Sequence, residues 1–187
     1  MAEFSNELSD KHIAMIAEQP VFFVATSAPI GRINLSPKGY DAFRVLSPKR
    51  VAYLDLGGSG NETHAHLAAD GRITIMFNNF QQPANILRIY GRGVPVLPQD
   101  EGWEKLAQNF TLLPGTRQIF AIDIESVQTS CGWGVPKMTL EGERDTLKKA
   151  HRQSNPAEWA AKMSTRISSI DGLPTRATDR YIAGEDS

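Results

Sequence analysis

The stretch VFFVATSAPIGRINLSPKGY, residues 21–40, decides how the rest of the chain is read. Val21 to Pro29 is rich in β-branched and aromatic residues, as a strand buried on at least one side requires. Pro29, Ile30 and Gly31 supply a compact turn, and the chain returns as RINLSPKGY, which makes a β-hairpin. In the returning strand Ile33 and Leu35 alternate with Asn34 and Ser36, so that one face is apolar and the other polar. The polar face is available for a ligand.

Upstream, residues 9–19 read as a short helix, with Ser9 as N-cap, Ile13, Ile16 and Ala17 on one side, and Pro20 as the stop. Downstream, FRVLSPKRVAYLDL turns at Ser47 and Pro48 and continues as an apolar strand from Val51 to Leu56. The composition then changes to GGSGNETHAHLAADG, which reads as a glycine loop, an Asn61 N-cap, a short helix and Gly71 as its C-cap. RITIMFNNF and NILRIYGRGVPV are strands again. DEGWEKLAQNF is helical, and QIFAIDIESVQTS is a last long strand ending at CGWGVP. From Glu141 the chain turns helical and polar. ERDTLKKAHRQ precedes NPAEWAAKMSTRISS, where Asn155, Pro156 and Glu158 form a compact start signal. About the last ten residues are expected to be loose. This order gives a mainly β domain over residues 1–140, a small barrel with peripheral helices, and a helical extension over 141–187 packed on the same domain.

Composition narrows the function classes. Twenty basic and twenty-one acidic side chains leave a net charge of −1 in 187 residues, so no broad cationic surface for nucleic acid is expected. No stretch reaches the roughly 18 apolar residues of a membrane span. The single Cys131 cannot close an internal disulfide, and MAEFSNELSDK has no charged leader followed by an apolar run, so a cytoplasmic protein is expected.

Two features point to an anion. Gly57, Gly58 and Gly60 allow close backbone approach just before a helix N-terminus, where unpaired amides favour negative charge, and Ser59, Asn61 and Thr63 add side-chain donors. The spacing matches neither the P-loop nor GxGxxG, and a flexible turn capped by Asn61 accounts for it equally well. Ser36 and Lys38 lie two apart, hence on one side of a strand, where they offer a hydroxyl and a point charge. An ordinary exposed lysine at a strand end is the competing reading. Arg88, Tyr90 and Arg92 share a strand face opposite Leu87 and Ile89, and Arg88 calls for a phosphate, a carboxylate or a second subunit. His64 and His66, two apart on a helix, do not share a face, so no metal site is expected. Cys131 has no neighbouring base in sequence. The glycines around Trp133 expose its ring to pack on the domain or on a flat cofactor.

Taken in order, the hairpin with SPKG, the Gly-Asn start of the glycine-loop helix, RITIMFNNF and the LRIYGRG strand resemble the split-barrel flavoproteins related to pyridoxamine 5'-phosphate oxidase. The likeness covers about residues 10–130, and CGWGVP, GERDTL and SIDGLP resemble one subgroup. It implies a six-stranded split barrel of FMN-binding type that forms a homodimer, with FMN in a groove at the subunit interface. Carried onto this chain, it assigns Ser36, Lys38, Gly60, Asn61 and Thr63 to the phosphate. Asn34 and Leu35 lie along the flavin, Arg88 is a further contact, and Trp133 reaches the ring from the partner subunit.

Two departures stand out. Glu62 occupies a position after Gly-Asn where relatives often carry a basic residue, and TRATDRYIAGEDS lacks the Arg and His segment that binds the vitamin phosphate. The resemblance therefore implies an FMN-dependent oxidoreductase acting on a small molecule other than that vitamin. A carrier that buffers FMN without turnover, or the same barrel holding a deazaflavin or haem, are the alternatives. Haem would need an axial ligand such as His64 or His66.

Overall fold

The computed structural model describes residues 2–184. Ser9 caps the first helix, α1 (Asp10–Glu18), by accepting from the His12 amide, while His12 Nδ1 accepts from the Ser9 amide in return. The helix delivers the chain into β2 (Phe22–Ser27), which pairs antiparallel with β3 (Ile33–Lys38) across the expected hairpin. Then follow β4 (Phe43–Ser47), β5 (Arg50–Leu56), α2 (Glu62–Ala69), β6 (Arg72–Asn78), β7 (Asn85–Val96), α3 (Trp103–Ala107) and β8 (Thr116–Cys131). With β1 (Glu3–Ser5), the described residues hold eight strands where six were expected. β1 escapes sequence reading because three residues carry no alternation. β4 is a short hairpin arm folded back on β5.

The strand order is β3-β2-β6-β7-β8-β5-β4, all antiparallel, with β1 on β8. β8 is the spine: its first half pairs with β5, nearly its whole length with β7, and its end with β1. The β7–β8 ladder shifts register between Tyr90 and Gly91, and a Cβ on Gly91 would stand 2.2 Å from the Asp123 carbonyl oxygen. Only glycine fits that approach. Inward side chains of β2, β5, β6, β7 and β8 form the core, where Phe22, Phe43, Tyr53, Phe77 and Phe120 pack with ring centroids 4.9–5.7 Å apart, three of the pairs edge-to-face. Each such ring contributes roughly 1.5–3 kcal/mol by burial.

The sheet curls until its edge strand β3 comes near β5, but no backbone ladder joins them. Lys38 Nζ reaches across and donates to Asp55 Oδ1 at 2.9 Å, so a side-chain ion pair bridges the split. Two helices follow the barrel, α4 (Thr146–Arg152) and α5 (Pro156–Ser164), the latter started by Asn155 Oδ1 accepting from the Ala157 and Glu158 amides. α5 buries Trp159 and Met163. Beyond it a small β-bridge joins Ser168 and Pro174. Residues 178–184, expected to be loose, are tied down: Gly115 N donates to Ile182 O, and Tyr181 Oη to His151 O. The rest of that expectation, residues 185–187, lies outside the described residues. Among the described residues no helix is long and apolar enough to cross a membrane.

Candidate functional site

β3 presents Asn34, Ser36 and Lys38 to the barrel side and Ile33 and Leu35 to the outside, where they are 78% and 65% exposed. The pairing enforces this: Asn34, Ser36 and Lys38 sit opposite Thr26, Val24 and Phe22, whose side chains are all buried. The polar face meets the glycine loop at the split. There a cavity of about 350 Å³ is lined by Asn34, Ser36, Lys38, Gly60, Asn61 and Thr63, together with Asp55, Glu62 and Arg117. Two segments more than twenty residues apart thus converge on one site.

The site is held by a buried carboxylate. Asp55 Oδ2 accepts from Arg117 Nη2 at 2.7 Å, Arg117 Nε at 3.2 Å and Gln118 Nε2 at 2.9 Å, while Oδ1 accepts from Lys38. Burial would raise the Asp55 pKa, but the Lys38 and Arg117 charges and the bonds from Arg117 and Gln118 outweigh it and hold it well below the usual range. Arg117 is almost fully buried and also donates through Nη1 to the Gly60 carbonyl at 2.9 Å, which fixes the glycine loop. Lys38 remains the partly accessible cation.

Asn61 precedes α2 but makes no side-chain capping bond. Its Oδ1 instead accepts from Gln118 Nε2 at 2.8 Å, and the first-turn amides of α2 stay free of a side-chain cap. Thr63 Oγ1 accepts from Asn34 Nδ2 at 3.1 Å, which leaves its own proton to give, and Ser36 Oγ donates to Asn34 Oδ1 at 3.2 Å. The four ionisable side chains on the cavity, two positive and two negative, cancel in formal charge. With no net charge, what the cavity offers a ligand is a set of oriented N–H and O–H donors with Lys38 among them.

Glu62 is turned away from this task. Its carboxylate accepts the Ile170 amide at 3.1 and 3.2 Å, and Asp171 next to it pairs with Arg32. The SIDGLP segment is thereby pinned across the rim. His64 joins the same network: Nε2 accepts from the Arg176 amide at 3.1 Å, so the proton sits on Nδ1 and is donated to Gln118 Oε1 at 2.7 Å. Both His64 and His66 are 1% exposed, and neither lines the cavity. Among the described residues no group of three or more His, Cys, Asp or Glu is placed to hold a metal.

The neutral ring carries a pH dependence. Burial lowers the His64 pKa, with the Gln118 bond opposing it and nearby Arg117 and Arg176 adding to it, and burial likewise lowers that of His151. Below an unfolded value of about 6.5 the unfolded chain takes up protons that the folded chain refuses. Stability is expected to fall as pH drops through that value, and His64→Gln, which keeps a donor and an acceptor, should flatten the slope in urea unfolding. A slope unchanged in the variant would contradict the assignment.

The other three candidates stand elsewhere. Leu35 points outward from β3. Arg88 lies on the outer face of the sheet, where Nη1 donates to Ser130 Oγ at 3.2 Å, and Trp133 is 85% exposed beyond the end of β8. None of them lines this cavity. Asp55, Arg117 and Gln118 were not singled out by sequence reading, although one signal was present: a carboxylate inside the apolar run VAYLDL demands a buried partner.

Fold and site together define a split antiparallel β-barrel with a polar, donor-rich cleft at its seam. The profile of the pyridoxamine 5'-phosphate oxidase family matches residues 8–131, two thirds of the chain. The chain belongs to the pyridoxamine 5'-phosphate oxidase family. It is 39% identical over 193 residues to the family protein ustO of Aspergillus flavus, covering 93% of this chain and 78% of that one. Among solved structures, a variant of HupZ from Group A Streptococcus superposes with a TM-score of 0.53 at 20% identity, over 65% of this chain and 98% of that one. A candidate pyridoxamine 5'-phosphate oxidase from Lactobacillus delbrueckii gives 0.53 at 15% identity, over 66% and 94%.

Proposed function

We propose that the chain binds FMN with its phosphate at the barrel seam and works as an FMN-dependent oxidoreductase. One observation carries the reading: the Ser36–Lys38 strand and the Gly60–Thr63 loop, two unconnected anion signals, line one cavity. The residues suit a phosphate. Lys38, the Thr63 hydroxyl, the Asn61 amide and the free first-turn amides of α2 are its donors, the Ser36 hydroxyl joins them by turning its proton from Asn34 Oδ1, and open space around Gly58 lets the backbone approach. Asp55 holds Lys38 and Arg117 in place, and Gln118 turns Asn61.

Bound FMN supplies the redox chemistry, and the protein supplies binding and orientation. Asn34 and Leu35 run beside the ring. The exposed Ile33 and Leu35 side chains suit burial against a second copy, which would bring Trp133 of that copy toward the cofactor. The active form is then a homodimer.

The purified protein is expected to carry a chromophore that chromatography identifies as FMN. Lys38→Ala should weaken FMN binding about tenfold to a hundredfold, the worth of a charge-assisted hydrogen bond, and leave riboflavin binding nearly unchanged. Equal losses for both ligands would rule out the phosphate role, and a colourless protein that takes up no FMN would overturn the reading.

A further inference from the structure

A second cavity opens beside the glycine loop. It measures about 460 Å³ and is walled by Gly57, Gly58 and Ser59 of the loop and by the two helices of the extension, α4 and α5. Gly58 and Ser59 line the seam cavity as well, so one loop is a wall of both. The volume falls in the range of small-molecule sites. Leu147 and Ala150 of α4, with Trp159 and Met163 of α5, give it an apolar side.

The charged lining restricts what it takes. Lys162, in the last turn of α5, and Arg166, just beyond that helix, both line the cavity. Neither has a carboxylate oxygen within 4.0 Å among the described residues, although Glu158 lines the cavity one turn before Lys162. His151 adds no charge, because Nδ1 accepts from Trp159 Nε1 while Nε2 donates to the Gly57 carbonyl. Two cations against one anion leave the lining net positive, unlike the seam, where the charges cancel. The loop adds donors. Gly57 N is engaged with Gly115 O at 2.8 Å, but the Gly58 and Ser59 amides and the Ser59 hydroxyl donate to no protein group among the described residues. A Cβ on Gly58 would meet nothing nearer than 4.0 Å, so the backbone there is open to approach. Unpaired cations and unused donors around one cavity call for an anion, and the apolar side calls for a hydrophobic body attached to it.

We infer that this cavity binds an anionic group, a phosphate or carboxylate, carried on an aromatic or apolar body and held by Lys162, Arg166 and the Gly58–Ser59 backbone. The same chemistry has two sources. The anion is either the far end of a ligand that also occupies the seam and crosses the shared loop, or a separate molecule. The site stands independently of the flavin reading, which only one arm of the test uses.

The test uses the full chain in equilibrium dialysis, with 1-naphthyl phosphate as the anionic probe and 1-methoxynaphthalene as its neutral counterpart. The phosphate is expected to bind and the neutral probe to bind at least tenfold more weakly. Lys162→Ala combined with Arg166→Ala should weaken the phosphate about tenfold. That loss assigns the binding to this cavity, because neither residue lines the seam. The pair is exposed and half-buried respectively, so the unfolding temperature should hold, and Lys162→Glu, a single charge reversal on the exposed residue, gives an independent loss. FMN and FAD separate the two sources. A FAD affinity lowered about tenfold in the double variant, with FMN affinity unchanged, identifies one ligand spanning the loop. FAD affinity unchanged, with 1-naphthyl phosphate still taken up by FMN-loaded protein and lost in the double variant, identifies a separate ligand. The inference is overturned if the double variant alters neither 1-naphthyl phosphate binding nor FAD binding relative to FMN, or if the neutral probe binds as well as the phosphate. Uptake of the aryl phosphate at this cavity by a chain that takes neither flavin would count against the proposed function alone.

Discussion

Asp55→Ala is expected to lower the free energy of unfolding by about 3–5 kcal/mol, a large share of what a domain this size possesses. The carboxylate is 3% exposed and accepts from Lys38, Arg117 and Gln118, whereas the Arg117 side chain is 7% exposed. Removing the anion leaves a guanidinium out of water with no opposite charge, and Gln118 loses one of two acceptors. A loss of unfolding free energy in urea of less than about 1 kcal/mol would show that the cluster relaxes into solvent. The double variant Asp55→Leu with Arg117→Met should recover much of the loss, because it removes both charges together. Acid provides the same test without mutation. Asp55 has a depressed folded pKa, so its stabilisation is complete above the unfolded value of about 4 and is lost as pH falls below that toward the folded value. In Asp55→Ala this low-pH component should disappear.

Trp159→Ala is expected to cost a similar amount, about 3–5 kcal/mol, within a single unfolding transition. The indole is 3% exposed, donates Nε1–H to His151 Nδ1 at 3.1 Å and lies against Gly57, where a Cβ would stand 3.0 Å from its ring. His151 Nε2 in turn donates to the Gly57 carbonyl at 2.9 Å. The helical extension thus holds the start of the glycine loop whose far end lines the seam cavity. Removing the ring leaves a void and frees that loop, so under the proposed function FMN affinity should fall along with stability. Two separate transitions in thermal unfolding would mean that the extension folds as a unit of its own.

Much of the fold is legible from local pattern. The hairpin at residues 21–40, the α1 and α5 start signals and the alternation in LRIYGRG depend on side chains within a few positions of one another, and the elements follow them. The eight-strand count does not follow in this way, because β1 is defined by its partner β8 rather than by its own residues.

The phosphate candidates were legible as two separate signals, each with an ordinary structural explanation. Their meeting in one cavity depends on the curl of the sheet, which brings β3 to β5 and is a sum over every strand. Asp55, Arg117 and Gln118 belong to the same class. The buried Asp55 takes Arg117 and Gln118 from a strand more than sixty residues away, and no local window contains both ends of that pairing. The fate of Glu62 was likewise settled by a distant segment, since its partner is the amide of Ile170. The sequence by itself determined the strands, their polar faces and the glycine loop, because those rest on near-neighbour chemistry. The tertiary structure alone decided which of those faces meet, because long-range pairing sets where side chains converge.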